Sequence, residues 1–160
     1  MVMNALAVSP TELVAKLAEA LKSVPEIQAP VWVLNVKSSA HTERVPQQEN
    51  YWFMRCAALL RTISLNSKAV GVQRLRHKFG GRQVHVVSKS HHVKAGGKGI
   101  RLALQQLEKA GLIKKEKAGR VLSPAGRKFI EKTAKELTSI APVSSKPSVP
   151  AAVASKPAAA

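Results

Sequence analysis

The chain contains no aspartate. All nine of its acidic side chains are glutamates, against 26 lysines and arginines, and the formal net charge is +17 over 160 residues. Magnesium sites and many acid–base pairs lean on Asp, so its absence weighs against an enzyme. There is one cysteine, Cys56. A disulfide framework and a cysteine-rich zinc site are thereby excluded, and a reducing compartment is suited. Aromatics amount to two Trp, one Tyr and three Phe, and three of these crowd into Tyr51-Trp52-Phe53. No pair of stacking strands is left for an RRM, and no aromatic platform for a single strand. No apolar run approaches the ~18 residues of a membrane span. The N-terminus has no basic head before its apolar stretch, and Glu12 and Glu19 precede the first arginine, Arg44. Neither a signal peptide nor an Arg-rich transit peptide is expected.

What is present is positive charge, and it is concentrated. Between Glu49 and Glu108 there is no acidic residue, yet Arg55, Arg61, Lys68, Arg74, Arg76, Lys78, Arg82, Lys89, Lys94, Lys98 and Arg101 all lie there. A solvated surface normally mixes signs, and a single-sign field of this size is a footprint for phosphates. Arginine is prominent in the set, which suits bidentate phosphate contact. His77, His85, His91 and His92 fall in the same stretch. With no Cys or Asp near the loop histidines and no HxxxH pair on a helix, no metal is expected; such histidines more often meet phosphate or water. Ala95-Gly96-Gly97-Lys98-Gly99 lacks the first Gly and the Ser/Thr of a phosphate-binding P-loop, and it reads as a flexible basic loop. Cys56 sits among apolar neighbours and reads as core packing.

The pattern along the chain predicts mainly helix. Ser9-Pro10-Thr11-Glu12 resembles a capping box with Pro at the first helical position, and Leu13, Leu17, Leu21 and Val24 follow at helical spacing until Pro25. Pro30 to Val36 is either a buried strand or a short helix. Residues 48–65 form the clearest helix. Trp52, Phe53, Cys56, Leu59, Leu60 and Ile63 fall on one broad arc, with Tyr51, Arg55, Ala58, Arg61 and Thr62 on the other. So wide an apolar arc implies a central helix. A short helix over 70–79 turns Val72, Leu75 and Phe79 inward and ends at Gly80-Gly81. Residues 82–99 read as a long exposed loop with a possible strand at Val84–Val87. A helix follows over 98–110, closed by Gly111, then a hairpin of Leu112-Ile113 and Val121-Leu122 turning at Ala118-Gly119. Ser123-Pro124 opens a last helix with Phe129, Ile130, Ala134 and Leu137 as its stripe.

Helix, long loop, helix, hairpin, helix is the element order of a winged helix. The predicted fold is therefore mainly α, packed round a central amphipathic helix, with a winged-helix-like half carrying one β-hairpin. Residues 1–140 make one nucleic-acid-binding domain. Residues 141–160 contain only Ala, Pro, Ser, Val and two lysines, Lys146 and Lys156, and are expected to be a disordered tail. Such a domain could also serve a DNA-binding transcription regulator. That class dimerises and concentrates base-reading side chains on its recognition helix. Helix 98–110 offers only Gln105 and Gln106 for that work.

Longer motifs carry a resemblance. Asn50-Tyr51-Trp52-Phe53-Met54-Arg55 with Arg61, Gly71-Val72-Gln73-Arg74-Leu75-Arg76 running to Phe79-Gly80-Gly81-Arg82, and Ser90-His91-His92 occur in order. So do the segment from Leu104 to Leu112 and the segment from Gly119 to Gly126. Together they resemble the small-subunit ribosomal protein number nineteen family of eukaryotes and archaea, unrelated to the bacterial proteins of that number. The resemblance covers about residues 8–138. It departs at Tyr51, where the family often has Trp, at Lys89, where Pro is frequent, and in the Ala/Pro tail.

The resemblance implies a structural, non-catalytic constituent of the head of the small ribosomal subunit. It implies binding to ribosomal RNA beside neighbouring ribosomal proteins, and a role in pre-ribosomal RNA maturation. A monomer within the ribosome is expected, with no membrane and no cofactor. Its location would be cytoplasmic, with nuclear and nucleolar passage if the source is eukaryotic. The family's basic surface includes the arginines matching Arg55, Arg61 and Arg101, and the Gly-Gly-Arg matches Gly80, Gly81 and Arg82. Charge and resemblance together nominate Arg55, Arg61, Arg74, Arg76, Lys78, Arg82, Lys89, Lys94, Lys98 and Arg101 as the RNA-binding residues.

Overall fold

A computed structural model describes residues 8–85 and 87–140 of the chain. The tail proposed over 141–160 lies outside the described residues. Among the described residues, five α-helices and two antiparallel β-ribbons follow in the order α1 (Pro10–Lys22), α2 (Tyr51–Leu65), α3 (Val72–Lys78), β1 (Gly81–Gln83), β2 (His91–Val93), α4 (Gly97–Lys109), β3 (Ile113–Glu116), β4 (Gly119–Leu122) and α5 (Pro124–Ile140). The mainly helical, winged-helix-like class read from the sequence is the observed one. None of the described helices is long and apolar enough to cross a membrane.

Helix α2 lies at the centre, packed by α1, α4 and α5. Leu13, Leu17 and Leu21 of α1 meet its Cys56, Leu59, Leu60 and Ile63 in one core with Ile100, Leu104 and Leu107 of α4 and Ile130 of α5. All of these side chains are buried. The apolar arc of α2 is wider than its sequence suggested, since Thr62 and Ser64 are buried too. The Ser64 hydroxyl is satisfied within the helix, its Oγ donating to the Arg61 carbonyl at 2.8 Å. Cys56 is fully buried in this core. Loss of hydration pushes its thiol up to about 12, against the opposing pull of the Arg55 charge.

Several local expectations change. The Ser9 hydroxyl makes no cap bond; only its carbonyl enters the helix, accepting from Leu13 N–H at 3.0 Å. Of the two readings open for Pro30 to Val36, the short helix is the observed one, as a single 3-10 turn at Val33–Asn35 that buries Val33 and leaves Val31 and Leu34 exposed. The stretch 82–99 is not one loop. Gly81–Gln83 and His91–Val93 pair as a ribbon, with Arg82 opposite His92. Val84 and Val87, expected in a strand, lie beyond the pairing and are exposed, and Val86 falls outside the described residues.

Gly80 has negative φ and is not a left-handed helix cap. Any Cβ there would strike the Val93 carbonyl, so the position serves the close approach of the ribbon. Gly111, with φ at 71°, is the left-handed terminator of α4 that the sequence predicts. The β3–β4 hairpin turns at Lys117-Ala118, one residue earlier than expected. Val70 adds a bridge to Arg120, exchanging both backbone hydrogen bonds at 2.9 and 3.0 Å. That bridge ties the hairpin to the segment between α2 and α3.

Candidate nucleic-acid interface

The candidate site is assembled from α3, the β1–β2 ribbon and the first turns of α4. Two reciprocal contacts weld them. Ala95 N–H donates to the Arg76 carbonyl at 2.9 Å, and Arg76 Nε donates back to the Ala95 carbonyl at 3.0 Å. Gly96 N–H donates to the Ser38 carbonyl at 2.9 Å. The Gly-rich stretch is therefore not a flexible loop, because its glycines lead straight into α4, whose first residue is Gly97. Ser39 Oγ donates to the Lys94 carbonyl at 3.3 Å and contacts His41 Nδ1 at 2.7 Å. The imidazoles of His77 and His92 stack with centroids 4.1 Å apart, joining α3 to β2.

Of the ten nominated residues, Arg74, Lys78, Arg82, Lys89, Lys94, Lys98 and Arg101 are exposed. Lys78, Arg82 and Lys94 surround the ribbon base, while Lys98 and Arg101 stand one turn apart on α4. Among the described residues, no carboxylate lies within salt-bridge distance of any of the ten. Their field is thus uncompensated and open to an anionic partner.

Arg55, Arg61 and Arg76 are different, being half-buried. The Arg55 guanidinium lies over the Phe79 ring, 4.5 Å from its centroid. Burial lowers its pKa, with Tyr51 and Cys56 opposing. Arg61 Nε is buried with no hydrogen-bond partner. Arg76 is spent on Ala95. The arc expected to be polar is not an open face: no residue of α2 is fully exposed, and only part of the Arg55 and Arg61 side chains reaches solvent.

Other exposed basic groups lie outside the ten. Lys114, Lys115 and Lys117 are exposed at the β3–β4 tip. Their signal lay in the sequence as three lysines around one turn, but outside the acid-free stretch. His85 and His91 are exposed, while His92 is taken up by the stack on His77. Among the described residues, no cluster of His, Cys or Glu is arranged to hold a metal. Gln106, a possible base reader, is occupied: its Oε1 accepts from Trp52 Nε1 at 2.8 Å, and its Nε2 donates to the Gln28 carbonyl at 2.8 Å.

An exposed basic surface on a helical, winged-helix-like body suits several nucleic-acid proteins, and comparison with known ones narrows the field. The model of the Ribosomal protein S19e family matches residues 4–139. The small ribosomal subunit protein eS19 of Aeropyrum pernix is 38% identical over 136 residues, covering 84% of this chain and 89% of that protein. Its namesake from Haloarcula marismortui is 37% identical over 135 residues, covering 81% and 88%. The Emericella nidulans protein of the same name is 38% identical over 117 residues, covering 72% and 78%. The family match spans every element from α1 to the end of the last helix but one residue, and the chain belongs to the S19e family of ribosomal proteins.

Proposed function

We infer that this chain is a structural, non-catalytic constituent of the small ribosomal subunit. Its relatives bear that name, and the observation that carries the reading is the surface of exposed cations without a carboxylate in reach. Such a surface works by charge neutralisation. Phosphate strands that would repel one another approach when lysines and arginines replace their counterions.

The finer reading is also ours. Arg74, Lys78, Arg82, Lys89, Lys94, Lys98 and Arg101 contact ribosomal RNA phosphates directly. Arg55, Arg61 and Arg76 shape the surface and lend their charge to it. The chain sits in the subunit head as a single copy beside other ribosomal proteins and supports pre-ribosomal RNA maturation. In a eukaryotic source it passes through the nucleolus on the way.

A DNA-binding regulator is not supported. Gln106 is committed to the core side of its helix, and the charge extends over α3 and the ribbon rather than along one recognition helix. Sucrose-gradient fractionation of a lysate tests the reading. Co-migration with the small subunit after a high-salt wash is the expected result, and a protein found only at the top of the gradient refutes it.

A further inference from the structure

The fold builds one cavity that neither charge nor motif announced. Trp32, just before the 3-10 turn, meets Trp52 edge-on, with centroids 6.4 Å apart and planes at 75°. These are the only two tryptophans of the chain. Together with Tyr51 they wall a cavity of about 220 Å³. Three cations line it, Lys37, Arg55 and Lys98, and no carboxylate does. Lys98 Nζ lies over the face of Trp32, 4.8 Å from the ring centroid.

We propose that this cavity receives one unstacked base of an RNA strand, with the phosphates on either side held by Lys37 and Lys98. The proposal rests on the RNA-binding reading above and adds a site to it. Trp32 and Tyr51, both partly exposed, offer an extruded base the aromatic contact it loses on leaving the stack, while buried Trp52 backs Trp32 from the core side. Its cations decide between occupants. An aliphatic side chain of a neighbouring protein needs no positive border, whereas a nucleotide carries an anion a fixed distance from its ring. The cavity is smaller than the ~300–1,000 Å³ of sites for drug-sized ligands, so it admits one ring system and not a free dinucleotide. Lys98 is exposed and flexible, and it can leave the ring face for a phosphate as the base enters. The aromatics looked too scattered to stack bases. The fold closes the distance between Trp32 and Trp52, and the product is a single-base pocket rather than a platform.

The test uses the full chain and three RNA hairpins with one common stem. One is fully paired, one carries a single bulged adenosine, and one carries the same bulge without its base. The adenosine bulge should bind at least about fivefold more tightly than the abasic bulge and should quench tryptophan emission. Two variants should bring that ratio to about one. Gly99→Leu grows into the cavity, since a Cβ at Gly99 stands 3.9 Å from Trp32 Cη2, and leucine is the better helix former. Val36→Glu sets a carboxylate at the rim on a half-exposed residue, so the fold is spared. Equal affinity for both bulges in the parent, with emission unchanged, overturns the pocket and leaves it to a protein side chain, while salt-sensitive binding to all three hairpins would still uphold the RNA reading. Failure to bind any hairpin overturns both.

Discussion

Trp52 Nε1 donates a hydrogen bond of 2.8 Å to Gln106 Oε1, and the two residues are the point where the central helix is locked to α4. Trp52 is 2% exposed, so water cannot replace the acceptor. Gln106 also holds the Gln28 carbonyl, which brings the turn after α1 into the same clasp. Gln106→Ala should therefore cost about 1–3 kcal/mol by stranding a buried donor. Urea denaturation of the two proteins measures it. A loss below a few tenths of a kcal/mol would show that the indole finds another partner.

Arg55 and Arg101 should separate on mutation, although both are nominated for RNA. Arg55→Glu removes a guanidinium stacked on Phe79 and puts a carboxylate in its half-buried place, so its melting temperature should fall. Arg101→Glu changes an exposed side chain and should leave the melt within about 0.5 kcal/mol of the parent while weakening RNA binding. Equal melts for the two variants would place Arg55 outside the packing.

Affinity for ribosomal RNA should fall steeply with salt. If about six phosphates are neutralised, binding should weaken by ~10³ between 50 and 200 mM salt. Filter binding across that range checks it, and a nearly flat response would mean that the exposed cations are not the contact surface.

The Cys56 thiol should leave a signature at high pH. Its folded pKa is raised to about 12 from an ordinary 9.0. Between those values the unfolded thiol has lost its proton and the folded one has kept it, so fewer protons are bound in the unfolded state and stability falls as pH rises. Below about 9 the contribution is fully present. The slope attributable to this group should vanish in Cys56→Ala, compared with the parent by denaturation at pH 8 and pH 10.5. The native thiol should also resist iodoacetamide until the chain is unfolded.

How much of this was legible depended on whether the cause was local. Helices α1, α2 and α4 carry their periodicity in their own residues, and Gly111 marks its own left-handed turn. The β1–β2 ribbon was not legible because its strands are three residues each, Gly81-Arg82-Gln83 and His91-His92-Val93, with no apolar alternation to read. It is held instead by ladder bonds, the His77–His92 stack and the space left at Gly80. The exposed cations could be counted from the chain. The half-burial of Arg55 and Arg76 could not, since it is imposed by Phe79 and Ala95 arriving from other elements. Trp32 gave no signal at all until Trp52 stood beside it.

The paired hydrogen bonds between Arg76 and Ala95 bear on how much the ribbon's tip can tolerate. It pins the neck of an arm whose tip holds Val84, Lys89 and Ser90, while the neck itself is fixed to α3 and α4. Residues can be added to or removed from such a tip with little cost, because closing a longer loop on an anchored base adds only about 0.6 kcal/mol per doubling. On the RNA-binding reading proposed above, such a tip can change in length or shape to suit the strand it meets without disturbing the core beneath it.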